Sequence, residues 1–112
     1  MLTWLLFLGC DTSDPCADMC QAAVDTHSAC LAQWEAQWTD FGYADEQDFR
    51  NSCDTWAWEM RLLEKDARSV GDLDESGVVD GVCLEREKFL LSDTFNCDAW
   101  SSLDWNETPW KR

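Results

Sequence analysis

Cysteine is the residue type with the richest chemistry in this sequence, since seven of the 112 residues are cysteines. Cys10 directly follows an apolar run, and the others form an even set that can close three disulfides: Cys16, Cys20, Cys30, Cys53, Cys83 and Cys97. Zinc is the competing chemistry, because Cys16 and Cys20 lie one helical turn apart. The other four cysteines are scattered and the chain has a single histidine, which disfavours a zinc site. We therefore expect three disulfides, which small domains in oxidising compartments commonly add to a modest core.

Oxygen-bearing side chains recur along residues 72–83, between two predicted helices. The segment reads Asp-Leu-Asp-Glu-Ser-Gly-Val-Val-Asp-Gly-Val-Cys and resembles the calcium loop of EF-hand proteins. The resemblance implies a calcium site with Gly77 at its sharp turn. Its ligands would be Asp72, Asp74, Ser76, Val78 (through its carbonyl) and Asp80. The sequence departs from the family at the twelfth position, where Cys83 replaces a bidentate Glu, and it contains no second such loop. Calcium is the one cofactor that the sequence suggests.

Residues 1–9 are uncharged and mostly apolar, whereas the chain turns polar from Cys10 onward. Nine residues are too few to span a bilayer. An apolar run that ends in Gly just before Cys resembles the end of a bacterial lipoprotein signal, although no Lys or Arg precedes it. The resemblance implies export, cleavage after Gly9 and lipidation of Cys10. We expect localisation to a bacterial cell envelope or periplasm, with a lipid anchor as the only membrane contact.

His27 is the only imidazole in the chain, and it lies on an apolar helical stripe. A histidine in that position is typically packed between helices. A Ser-His-Asp triad would require it to face a cleft beside a positioned serine. Carboxylate pairs for glycosidase chemistry arise by chance among so many acidic residues. We expect no enzymatic activity and no catalytic residue, with a small hydrolase as the less favoured alternative.

Eight tryptophans are unusually many for a chain of this length. Those without an assigned apolar neighbour are Trp58, Trp100, Trp105 and Trp110. Exposed tryptophans often anchor protein interfaces or stack on ligand rings, so these four are candidates for a binding face. The alternative is that the C-terminal segment folds back and buries them over a small core.

The overall composition restricts the class of partner. The chain has 23 acidic and 8 basic side chains, a formal net charge of -15, and 46% hydrophobic residues. This apolar content suffices for one small core and argues against a disordered acidic tail. Nucleic acids are excluded as partners because phosphate binding needs clustered Lys and Arg. The partner would be an unidentified protein or ligand.

The apolar periodicity predicts two helices that position these residues. Asp14 and Pro15 are typical of a helix start, and apolar residues then recur at steps of four and three as far as Trp38. Gly42 would end that helix, and Asp45 with Asp48 forms an acidic variant of a capping box for the next. We expect an antiparallel helical hairpin of residues 15–40 and 45–68. A shorter third helix and a fourth segment capped by Ser92 and Asp93 would follow.

Folding the chain about Gly42 brings together residues whose numbers sum to 83 or 84. This register predicts that Trp34 meets Phe49 and that Cys20 meets Leu63. It places His27 near Trp56 and pairs Cys30 with Cys53. Cys16 and Cys20 are then left for Cys83 and Cys97.

The sequence thus predicts an all-α, disulfide-stapled bundle of three to four helices over residues 10–112, preceded by a signal-like segment at 1–9. Its expected role is non-enzymatic, as an exported acidic binding or structural module. The main alternative is a calcium-binding module built on residues 72–83.

Overall fold

The computed structural model describes residues 14–74 and 76–103, and all their regular structure is helical, as predicted. The helices are α1 (Pro15–Trp34), α2 (Glu46–Ser69), α3 (Val78–Leu90) and α4 (Cys97–Ser101), with a 3-10 helix at Trp38–Phe41 between α1 and α2. Three disulfides link α1 to each of the other α-helices. The fold is therefore the expected disulfide-stapled bundle. The signal-like segment and Cys10 lie outside the described residues.

Helix α1 begins where the sequence predicts. The Asp14 side chain accepts hydrogen bonds from the backbone N–H groups of Cys16 (2.9 Å) and Ala17 (3.3 Å), and Pro15 occupies the first helical position. The predicted end at residue 40 is wrong. The helix stops at Trp34 because Glu35 takes a left-handed conformation (φ 55°) and its backbone N–H bonds back to Ala32. Gly42, with φ 87°, ends the 3-10 helix instead.

Helix α2 begins with the acidic capping arrangement predicted for it. The Asp45 carboxylate accepts from the backbone N–H of Asp48, and the Asp48 carboxylate accepts from that of Ala44, both at 2.9 Å. Its buried face is narrow and consists of Phe49, Cys53 and Ala57. The second half of α2 therefore projects most of its side chains into solvent.

Helix α3 begins at Val78, within the residues 72–83 that resemble a calcium loop. Gly77 precedes it in a left-handed conformation (φ 77°), which a residue with a Cβ would adopt only at a cost. Val79, Cys83 and Leu90 form its buried ridge. The contact between α3 and α1 is more extensive than the contact between α2 and α1. Helices α1 and α3 are thus the main pair of the core.

Helix α4 is a single short turn capped by Asn96, whose side chain accepts from the backbone N–H of Ala99 at 2.9 Å. The predicted cap at Ser92 and Asp93 is wrong, since the residues between α3 and α4 form turns. Burial of Trp100 anchors this helix to the core.

The disulfide pairing differs from the predicted one. Cys30 is bonded to Cys97, not to Cys53. Cys20 is bonded to Cys53, with their Cα atoms 5.8 Å apart. Cys16 is bonded to Cys83, which is one of the pairs that the sequence left open.

The reason for the different pairing is the register of α1 against α2. The two helices are antiparallel, because Asp14 meets Arg61 near the start of α1 whereas His27 meets Phe49 further along. The early end of α1 leaves residues 35–45 as a wide connection instead of a tight turn about Gly42, which moves the facing residues by several helical turns. Trp34 consequently stacks on Phe41 instead of meeting Phe49. Cys20 does not face Leu63, whose side chain is exposed.

Candidate functional site

The residues predicted to bind calcium are spread over the start of α3. Asp72, Asp74 and Ser76 are exposed and precede the helix, whereas Val78 is its first residue and Asp80 lies in its first turn. Ligands of one calcium ion, each about 2.4 Å from it, must lie within about 4.8 Å of one another. Among the His, Cys, Asp and Glu side chains of the described residues, the group of three that meets this limit is Asp14, Cys16 and Asp80.

That group is already engaged in other interactions. Cys16 is half of a disulfide. Arg61, on α2, donates one hydrogen bond to Asp14 (2.6 Å) and another to Asp80 (2.7 Å) through the same nitrogen, Nη2. These bonds hold the pKa of the Asp14 carboxyl below its usual value and raise the pKa of Arg61. Arg61 therefore joins the starts of α1 and α3, and a cation would have to displace it.

Glu64 holds the N-terminus of α3, a role that the sequence analysis missed. Its two carboxylate oxygens accept from the backbone N–H groups of Gly77 (3.1 Å) and Val79 (2.8 Å). A carboxylate at this end also complements the partial positive charge of the helix. No local motif marks Glu64, because it acts from another helix. Calcium binding by residues 72–83 stays a prediction, and it would require rearrangement around Asp80.

His27 lies in the centre of the aromatic core and is fully buried. Its ring stacks on Phe49 at 5.2 Å and meets the edge of Phe41 at 4.9 Å. Trp100 donates a hydrogen bond from Nε1 to Nδ1 of His27 at 2.8 Å. The imidazole thus serves as a buried acceptor that orients Trp100. No substrate could reach it without opening the core, so the packed position expected from the sequence holds. Trp38, Phe41, Phe49 and Trp100 surround it, instead of the Trp56 that the predicted register placed nearby.

Burial lowers the pKa of His27 from 6.5 to about 4 because the charged imidazolium would be desolvated. The unfolded chain then binds more protons at this residue than the folded chain between these two pH values. The contribution of His27 to the free energy of unfolding is fully present above pH 6.5. It decreases by up to about 3 kcal/mol as the pH falls towards 4. We expect the wild-type protein to lose this free energy of unfolding relative to His27→Asn, which does not titrate.

Urea denaturation of both proteins at a series of pH values between about 7 and 4 measures the difference. Using the difference removes the contribution of the many carboxylates, which both proteins share. Parallel stability profiles would contradict the burial of a neutral imidazole.

The tryptophans predicted to form a binding face are not all on the surface. Trp58 is exposed on α2, with 63% of its area accessible. Trp100 is fully buried, so its predicted place in a binding face is wrong. The alternative, that it is buried over the core, is correct for this tryptophan. Trp105 and Trp110 lie outside the described residues. Trp58 is therefore the only one of the four for which the described part of the chain supports a surface role.

A groove between α1 and α3 is a second candidate site, and the sequence analysis did not identify it. It has a volume of about 230 Å³ and is lined by Asp18, Gln21, Ala22, Asp25, Glu87 and Leu91. Within it, Gln21 donates from Nε2 to the carboxylate of Asp25 at 2.9 Å and accepts from Arg50 at 2.7 Å. The seven-residue spacing of Asp18 and Asp25, two helical turns, was the available signal.

Comparison with known proteins yields no match to a family model, to a curated protein or to a solved structure. Among residues 14–74 and 76–103, none of the helices combines the length and the apolar character needed to cross a bilayer.

Proposed function

We propose that this protein is a non-enzymatic acidic module, with a binding or structural role, that works in a bacterial cell envelope and is anchored by lipid at Cys10. The observation that carries the proposal is the pairing of all six cysteines of residues 14–103 in three disulfides. Disulfides persist in oxidising compartments such as the periplasm and are rare in the cytosol. The lipoprotein-like sequence up to Cys10 supplies the anchor.

The position of His27 supports a role without catalysis. Its imidazole is enclosed by aromatic rings and has its pKa lowered to about 4 by burial, so it is neutral at physiological pH and inaccessible to substrate. General base catalysis by histidine requires contact with the reacting group. Exposed apolar side chains on α2 and α3 instead offer contact area to a partner, as surface tryptophans and leucines often do.

The experiment is the intact mass of the protein isolated from its natural host, with and without reductant. The proposal predicts loss of residues 1–9, a mass addition of diacylglyceryl type at Cys10, and a gain of two hydrogens for each disulfide on reduction. A product that retains Met1, or one whose cysteines are already reduced, would contradict it. Removal of residues 1–9 without a lipid would contradict the anchor and leave export supported.

A further inference from the structure

The groove between α1 and α3 combines apolar and acidic surface. Its lining includes Ala22, which is buried, and Leu91, which has 65% of its area exposed. Leu84, Glu87 and Leu91 share one face of α3 because they are three and seven residues apart. Leu84 is also exposed, at 45%. Large apolar side chains left in solvent next to a concave surface are typical of binding sites.

The charge of the groove is unbalanced within the described chain. Asp18, Asp25 and Glu87 bring three carboxylates to its walls. The ion pairs among residues 14–74 and 76–103 involve Arg50 with Asp54 and Arg61 with Asp14 and Asp80, so none pairs directly with these three. Arg50 brings one positive charge to the groove wall through its hydrogen bond to Gln21, which leaves the negative charge in excess. A bound group that supplies positive charge would reduce the repulsion among these carboxylates and would itself be attracted to them.

We propose that this groove binds a basic amphipathic segment of another protein. The apolar side chains of that segment would contact Ala22, Leu84 and Leu91, and its Lys or Arg side chains would pair with the carboxylates. The proposal rests on the proposed function as a binding module and names the chemistry of its partner.

Charge also decides against other occupants. A second copy of this chain, with a formal net charge of -15, would bring further carboxylates to the groove. Nucleic acids and anionic membrane surfaces would be repelled for the same reason. A cationic segment is the occupant whose charge and apolar content both match.

The test uses the oxidised protein and a short synthetic peptide of Leu and Lys, with Leu at positions i, i+3, i+4 and i+7 so that one helical face is apolar. Isothermal titration calorimetry measures its Kd. The same peptide with every Lys replaced by Glu is the charge control. We expect the Lys peptide to bind, the Glu peptide not to bind, and the affinity of the Lys peptide to fall as salt is added.

The triple variant Asp18→Asn, Asp25→Asn, Glu87→Gln locates the site. Loss of three partly exposed charge pairs should weaken binding about ten-fold. The matched variant Glu59→Gln, Asp66→Asn, Asp74→Asn removes the same net charge from exposed residues outside the groove. It should weaken binding less than about two-fold, because screening limits the reach of distant charges.

Leu91→Ser tests the apolar contribution and should weaken binding about five-fold, since a leucine side chain partly buried on binding contributes on the order of 1 kcal/mol. Leu63→Ser is the control, because Leu63 is similarly exposed, at 60%, but lies on α2. Neither change should affect folding.

Equal loss of affinity in the two triple variants would overturn the groove as the site, as would unchanged binding in Leu91→Ser. Binding that depends on Leu63 would move the site to α2 and leave the proposed function as a binding module intact. Failure of the Lys peptide to bind at all would overturn the inferred partner chemistry. The proposed location and anchor are tested separately by the mass measurement.

Discussion

Replacing Cys16 and Cys83 together by Ala is expected to lower the free energy of unfolding by about 4 kcal/mol. The bridge joins residues 67 positions apart, and with the other two bridges intact it still closes a loop of about 30 residues, so its removal returns loop entropy to the unfolded chain. It also ties the start of α1 to α3, the main helix pair of the core. Such a loss is a large share of the roughly 5–15 kcal/mol that stabilises a typical domain. Urea denaturation of the oxidised proteins measures it.

The corresponding Cys20→Ala, Cys53→Ala variant is the comparison. Its bridge spans 33 positions, and Cys16 and Cys83 are connected through it by about as many residues, so the two losses should agree within about 0.5 kcal/mol. Full reduction of the wild-type protein, which cuts all three bridges, should unfold it. If the Cys16 and Cys83 variant loses less than about 1 kcal/mol, the cross-link does not supply the constraint claimed for it.

Trp100→Ala is expected to destabilise the protein by about 4 kcal/mol. The indole is fully buried, so truncation leaves a cavity in the aromatic core. It also removes the donor to Nδ1 of His27, which would leave a buried acceptor unsatisfied. Trp100→Phe keeps most of the volume and removes the N–H, so about 2 kcal/mol should be lost there. Chemical denaturation followed by far-UV circular dichroism measures both variants.

Trp58→Ala is the matched control for this substitution. Trp58 is 63% exposed on α2, so its truncation should change the free energy of unfolding by less than about 0.5 kcal/mol. Similar losses for Trp58→Ala and Trp100→Ala would mean that the buried contact with His27 does not organise the core. The Cys30 to Cys97 bridge keeps α4 attached to α1 in every variant, so the comparison reports on packing.

The helix starts could be predicted from the sequence because their signals are local. Asp14 followed by Pro15, and Asp45 with Asp48, satisfy backbone N–H groups within one turn of themselves. The apolar spacing of α1 and α2 likewise reflects burial of one face of each helix. The all-helical structure followed from these features, and disulfide formation followed from the even set of six cysteines.

The end of α1 could not be predicted because no Gly, Asn or Pro marks it. Glu35 adopts the left-handed conformation that glycine usually supplies, and apolar spacing continues past it to Trp38. This one misplaced boundary shifted the register of α1 on α2. The predicted Cys30 to Cys53 pair was an arithmetic consequence of that register, so it failed with it.

A candidate site could be predicted only where its residues lie close together in the sequence. Residues 72–83 carry a recognisable acidic pattern. Two of them, Gly77 and Asp80, are hydrogen-bonded to Glu64 and Arg61 of α2, and these contacts could not be predicted from the local sequence. The groove joins α1 to α3, and its existence depends on how those helices pack. The spacing of residues within one helix does not determine which other helix it packs against, so this groove could not be predicted.

Disulfide mapping of the protein isolated from its natural host, by non-reducing proteolysis and mass spectrometry, tests whether three bridges hold α1 to the other helices. We expect peptides that join Cys16 to Cys83, Cys20 to Cys53 and Cys30 to Cys97. A peptide joining Cys30 to Cys53 would contradict the packing of α1, and free thiols at these six positions would contradict the proposed compartment.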